Sequence, residues 1–150
     1  MNSNNAPRLL WWADRTLTAC FVLSFFLIAA LSANTSLTLL LKLIASTAIS
    51  FALVTLLRRF FAKKRPYQSK DCFAPRKGEN DSFPSRHAFS AFLIAMVAFS
   101  IRPLFGYALL PLAVLLSALR VFRGIHYPID VIGGSFLGVL FGTVCLVIIQ

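Results

Sequence analysis

Apolar residues in this chain come in long, nearly unbroken runs. They lack the regular alternation with polar positions that marks a half-buried strand or a surface helix. Five runs approach the roughly 20 residues a helix needs to cross the hydrocarbon of a bilayer. They extend from about Thr16 to Ser32, Leu37 to Leu57, His87 to Ile101, Pro103 to Leu119 and Val131 to Ile149. The pattern predicts an all-α fold: an integral membrane helical bundle of about five transmembrane helices, forming one domain over residues 1–150. The third and fourth runs are short, which puts their polar ends in the interface. Residues 1–15 are expected to lie there too, with Pro7 to Ala13 as a short interfacial helix, because Trp11 and Trp12 favour the headgroup level. The first run follows Arg8 and Arg15 as a signal-peptide core would, but it is long for one, so a retained helix is expected. On the fifth run Gly134, Gly138 and Gly142 share one helix face, suited to close packing inside the bundle or across a homodimer.

Composition agrees with the pattern, since 58% of the 150 residues are hydrophobic, more than a soluble domain of this size can bury. Charge adds a direction. The formal balance is +10, from 15 Lys+Arg against 5 Asp+Glu, and the cations cluster. Residues 58–85 form the only long polar stretch, and Arg120 to Asp130 a second; both follow an even-numbered helix and so share a membrane face. The connections after the first and third helices are short and almost uncharged. A basic face suits phosphates, lipid headgroups or nucleic acid. Loop aromatics such as Phe60, Tyr67 and Phe73 would serve a single-strand binder, but they are common near membranes, and no nucleic-acid partner is expected. Cys20, Cys72 and Cys145 form neither a metal-ligand spacing nor a disulfide framework, and are expected to be bystanders.

Three clusters on the polar face carry chemistry. In Arg58-x6-Arg65-Pro66, the seven-residue spacing lets both guanidiniums leave one helix face, and such forks grip phosphate bidentately; a basic anchor for anionic lipid is the alternative. In Phe83-Pro84-Ser85-Arg86-His87, Ser85 is a candidate N-cap, and the N–H groups behind it form an anion site with His87 at its mouth; a surface histidine is the plainer reading. In Arg120-x5-His126-x3-Asp130, the carboxylate can orient the imidazole, or Asp130 can pair with Arg123. Taken together, cations, an in-line nucleophile and a proton donor are what phosphoryl transfer needs, and the only two histidines lie on the cationic face.

The three clusters resemble the signature of the type 2 phosphatidic acid phosphatase (PAP2) superfamily: K-x6-R-P, then P-S-G-H, then S-R-x5-H-x3-D. The resemblance spans roughly residues 50–145. It implies that His126 is a nucleophile forming a phosphohistidine, that Asp130 orients it and that His87 protonates the leaving oxygen. It implies further that Arg58, Arg65, Arg120 and Ser85 hold phosphate, and that neither metal nor other cofactor is required. Arg58 stands for the lysine, Leu119 for the serine and Arg86 for the glycine; Arg86 either turns away from the phosphate or contacts a second one. The small bundle is similar to the bacterial undecaprenyl-diphosphate phosphatases of this superfamily, which recycle the lipid carrier of cell-wall synthesis. A multi-pass protein of the bacterial inner membrane is therefore expected, hydrolysing a polyprenyl diphosphate at a periplasmic or external site.

Phosphatidylglycerophosphate, phosphatidic acid and lipid A phosphates are alternative substrates, and phosphotransfer to another lipid is an alternative reaction. A non-catalytic basic anchor is the remaining reading. On sidedness the cations point the other way: all but Lys42 and Arg102 lie on the polar face or N-terminal to it, which the positive-inside rule assigns to the cytoplasm.

Overall fold

The computed structural model describes residues 6–63 and 82–149. Five helices follow one another: α1 (Ala6–Thr35), α2 (Leu37–Phe61), α3 (Arg86–Ile101), α4 (Pro103–Phe122) and α5 (Pro128–Ile149). All but α3 are long and apolar enough to cross a membrane. The 16 residues of α3 rise about 24 Å at 1.5 Å each. The stretch from Pro7 to Ala13 is not a separate interfacial element: no breaker separates it from Thr16, and it forms the first turns of α1.

Local chemistry sets the boundaries. Ser36 caps α2 by accepting from the Thr38 N–H, so α1 and α2 reverse almost without a loop. Pro103 starts α4, where a missing N–H costs nothing. At the end of α2, Ala62 takes a left-handed conformation (φ 40°), which bends the chain and carries Lys63 toward the bundle. Gly124, at φ 66°, ends α4 in the same way and turns the chain toward His126.

The bundle is inverted relative to a soluble protein. Leu23, Phe26, Phe136 and Val147 face outward, whereas Asp14, Arg58, Arg120, His126 and Asp130 are buried. α3 lies at the centre, with Phe89, Leu93 and Val97 in the core. The glycines of α5 explain how it sits so close. A Cβ at Gly134 would stand 2.5 Å from the Ser85 carbonyl oxygen, and one at Gly138 2.5 Å from that of Phe89. At Gly142 it would meet Met96 at 2.5 Å. The glycine face is thus spent on α3 within the same chain.

Candidate active site

The C-termini of α2 and α4 and the N-termini of α3 and α5 meet at one end of the bundle, as do the first turns of α1. At the head of α3 the chain runs through Ser82 and a cis Phe83–Pro84 bond into Ser85. Two contacts fix this turn. Arg58, buried at the end of α2, donates from Nη1 to the Pro84 carbonyl at 2.8 Å, and the Ser85 N–H donates to the Asp130 carbonyl at 2.9 Å. Ser85 stands at the N-cap position, but its hydroxyl does not cap the helix. Fully buried, it has no hydrogen-bond partner among the described residues. The first helical bond of α3 is Phe89 N–H to Ser85 O, so the N–H groups of its first turn precede the ladder and point out of the helix end. An orphaned hydroxyl beside such N–H groups suits an anion.

His126 is buried between the turn after Gly124 and Pro128, its N–H reaching the Arg120 carbonyl at 3.3 Å. Asp130 does not touch the imidazole directly: Oδ2 lies 3.9 Å from His126 Nδ1. Ser82 stands between them. Its Oγ donates a short bond to Asp130 Oδ2 and lies 3.4 Å from Nδ1. A hydroxyl that spends its proton on the carboxylate can only accept from the ring. The run from Nδ1 through Ser82 to Asp130 suits the tautomer that carries its proton on Nδ1. Asp130, fully buried, also accepts from the Tyr127 N–H at 3.0 Å and pairs with Lys63 Nζ at 2.7 Å. A buried carboxylate needs such partners, because desolvating it unpaired is expensive.

Arg120, in the last turn of α4, faces α1. Its Nε is 2.9 Å from Asp14 Oδ1, and Nη2 donates to Thr18 Oγ1 at 3.3 Å. Arg123 pairs with the second oxygen of Asp14 and not with Asp130. Between α1, α3 and α4 lies a cleft of about 650 Å³, lined by Asp14, Arg15, His87, Arg120 and Arg123 among others. A second cavity of about 400 Å³ shares Thr18 and His87 with it and runs along Phe21, Phe51, Ile94 and Leu116. Arg86 and Ser90 stand at its polar margin. A charged cleft therefore adjoins an apolar groove open between helices.

Of the residues singled out from sequence, Arg58, Ser85, Arg86, His87, Arg120, His126 and Asp130 all lie at this end of the bundle. Arg65, Pro66 and Cys72 lie outside the described residues. Sequence reasoning missed Ser82, Lys63 and Asp14. Ser82 is three residues ahead of Ser85, but nothing in its spacing announces the bridge. Asp14 did carry a signal, being one of only 5 acidic residues and set near the start of a mostly apolar helix.

The model of the PAP2 superfamily matches residues 39–150. A bacitracin transport permease protein (BcrC) of Bacillus licheniformis is 39% identical over 61 residues, 41% of this chain and 30% of that one. A putative undecaprenyl-diphosphatase (YbjG) of Escherichia coli is 29% identical over 104 residues, covering 68% and 52%. A lipid A 1-phosphatase of Rhizobium johnstonii is 31% identical over 115 residues, covering 69% and 45%. The chain thus spans about half, or less, of the length of these relatives. Among solved structures, a transmembrane PAP2-type phosphatidylglycerolphosphate phosphatase of Bacillus subtilis shares the fold, with a TM-score of 0.69 at 22% identity over 97% of this chain and 77% of that one.

Proposed function

Since the chain belongs to the PAP2 superfamily, we propose that it is a lipid phosphatase that hydrolyses a polyprenyl diphosphate to the monophosphate through a phosphohistidine. The observation that carries this is the pairing of a cationic cleft with an apolar groove, with His87 on both. A phosphate headgroup fits the first and a hydrocarbon chain the second.

In the proposed reaction Nε2 of neutral His126 attacks phosphorus in line. The bond from phosphorus to the leaving oxygen breaks, and His87 delivers a proton to that oxygen. Water then attacks the phosphohistidine, His87 takes its proton, and the P–N bond breaks to restore His126 and release phosphate. Arg58, Arg65 and Arg120 balance the charge on the equatorial oxygens, with the orphaned Ser85 hydroxyl and the α3 terminus supplying neutral donors. Asp130 acts on His126 through Ser82, stabilising the imidazolium side of the ring as the P–N bond forms. No metal or other cofactor takes part. Arg86, beyond the motif cations, favours a diphosphate, since a second phosphate needs counter-charge of its own.

The test is phosphate release from undecaprenyl diphosphate in detergent, with chelator present, beside His126→Ala. Release should survive chelation and fall about 10⁴-fold or more in the variant. Release from phosphatidylglycerophosphate or lipid A alone would keep the chemistry and change the substrate. No release from any phosphorylated lipid would sink the reading. The site is proposed to face the outside of the inner membrane. An impermeant thiol reagent should label Cys72 in intact spheroplasts, and labelling only after lysis would reverse the orientation.

A further inference from the structure

Asp14 is a buried carboxylate that the reaction above leaves without a task. It projects from the third turn of α1, ahead of residues 39–150 that match the family, and meets cations more than a hundred positions away in sequence. Both of its oxygens are engaged, Oδ1 by Arg120 Nε at 2.9 Å and Oδ2 by Arg123 Nη1. One turn along, Thr18 donates its hydroxyl proton to the Asp14 carbonyl at 2.8 Å, which leaves its oxygen to accept from Arg120 Nη2 at 3.3 Å. Along one edge Arg120 thus meets two side chains of a single helix face, through an ion pair at Nε that lacks hydrogen-bond geometry and a hydrogen bond at Nη2.

A guanidinium is planar and its donors lie in fixed directions, so fixing one edge fixes where the opposite edge points. All of these groups border the cleft that also holds His87. An arginine on a flexible stem has many rotamers, and holding it ready before substrate arrives removes that ordering cost from the reaction. We infer that Asp14 is a positioning residue for phosphoryl transfer: with Thr18, it sets the plane of Arg120 against the phosphoryl group, so that α1 completes the active site. The inference rests on the assignment of Arg120 as a phosphate ligand.

The rival reading of the same carboxylate rests on charge alone. Arg15, Arg120 and Arg123 line one cleft, and without Asp14 that wall would hold product phosphate more tightly. That effect acts on ground-state anions, whereas positioning acts on the transition state, and kinetics separate the two.

The experiment compares the full chain in detergent with Asp14→Asn, Asp14→Glu and Thr18→Val, reading kcat and KM for the lipid and inhibition by vanadate, a trigonal-bipyramidal mimic of the transferring phosphoryl group. Asp14→Asn should lower kcat about 10- to 100-fold, with KM changed less than about threefold. Vanadate inhibition should weaken in proportion. Asp14→Glu should recover part of the loss. Thr18→Val keeps the charge and should lose about threefold in kcat, which provides a reading should Asp14→Asn fail to fold. Unchanged or raised kcat in Asp14→Asn, with tighter inhibition by inorganic phosphate, would overturn positioning and make the carboxylate an occluding anion. Full activity in Thr18→Val would overturn the two-point grip. Arg120→Ala tells the two levels apart: retained activity there would sink the phosphate-ligand assignment itself, whereas its loss beside an active Asp14→Asn would sink this inference alone.

Discussion

Asp130 and Asp14 are both buried carboxylates at the same end of the bundle, yet their surroundings differ in kind. Asp130 is held by a lysine, a hydroxyl and a backbone N–H, at the start of a helix packed glycine-to-backbone on α3. Asp14 is held by two arginine side chains, on a helix that turns most of its surface outward: 17% of the apolar stretch of α1 is buried, against 39% for α4. One carboxylate is built into the frame and the other reaches the site from its least enclosed helix. A nucleophile must keep one geometry, so its support belongs in the frame. In the proposed reaction, the cation that receives a headgroup can be supported from a helix that lines the groove proposed for the hydrocarbon chain.

The contrast fails or gains edge under substitution. Asp130→Asn keeps the shape but removes the charge that Ser82 relays to His126, and should lower kcat about 10³-fold. That is at least ten times the loss expected at Asp14; equal losses at the two positions would abolish the distinction. Smaller, and in stability rather than rate, is the effect of Gly138→Ala. The added methyl meets the Phe89 carbonyl, and overpacking of this kind costs about 1–3 kcal/mol, read as a lower thermal midpoint in detergent. The same measurement on Leu23→Val, on the outward side of α1, should show a change within about 0.5 kcal/mol. A drop there as large as at Gly138 would mean that α1 is clamped as firmly as α5.

How much of this was legible in the sequence depends on distance along the chain. The helices could be read because each is a local apolar run, and Ser85, His87, His126 and Asp130 because each cluster is compact. The α5 glycines announced a close helix neighbour, but not that α3 was the neighbour, since that is set by packing. Ser82, Lys63 and Asp14 escaped for a different reason. Ser82 and Lys63 meet Asp130 from 48 and 67 positions away, and Asp14 meets Arg123 from 109. No spacing rule reaches that far. Only the cost of burying a charge hints at a partner, and it does not say which one. The place of Ser82 between Asp130 and His126 was hidden on the same ground, because a hydroxyl from another segment leaves no trace in the x3 spacing.

The glycine seam between α3 and α5 has a mechanical meaning. Helices in backbone contact have almost no side-chain cushion to compress, so the two move as a single stiff beam. His87 is at the head of one half of that beam and His126 just ahead of the other. When the surrounding bilayer thins on warming or thickens with longer acyl chains, the beam tilts as a unit. The separation of His87 and His126 is then expected to be indifferent to the surrounding lipid, with adaptation to a new membrane left to the outer helices.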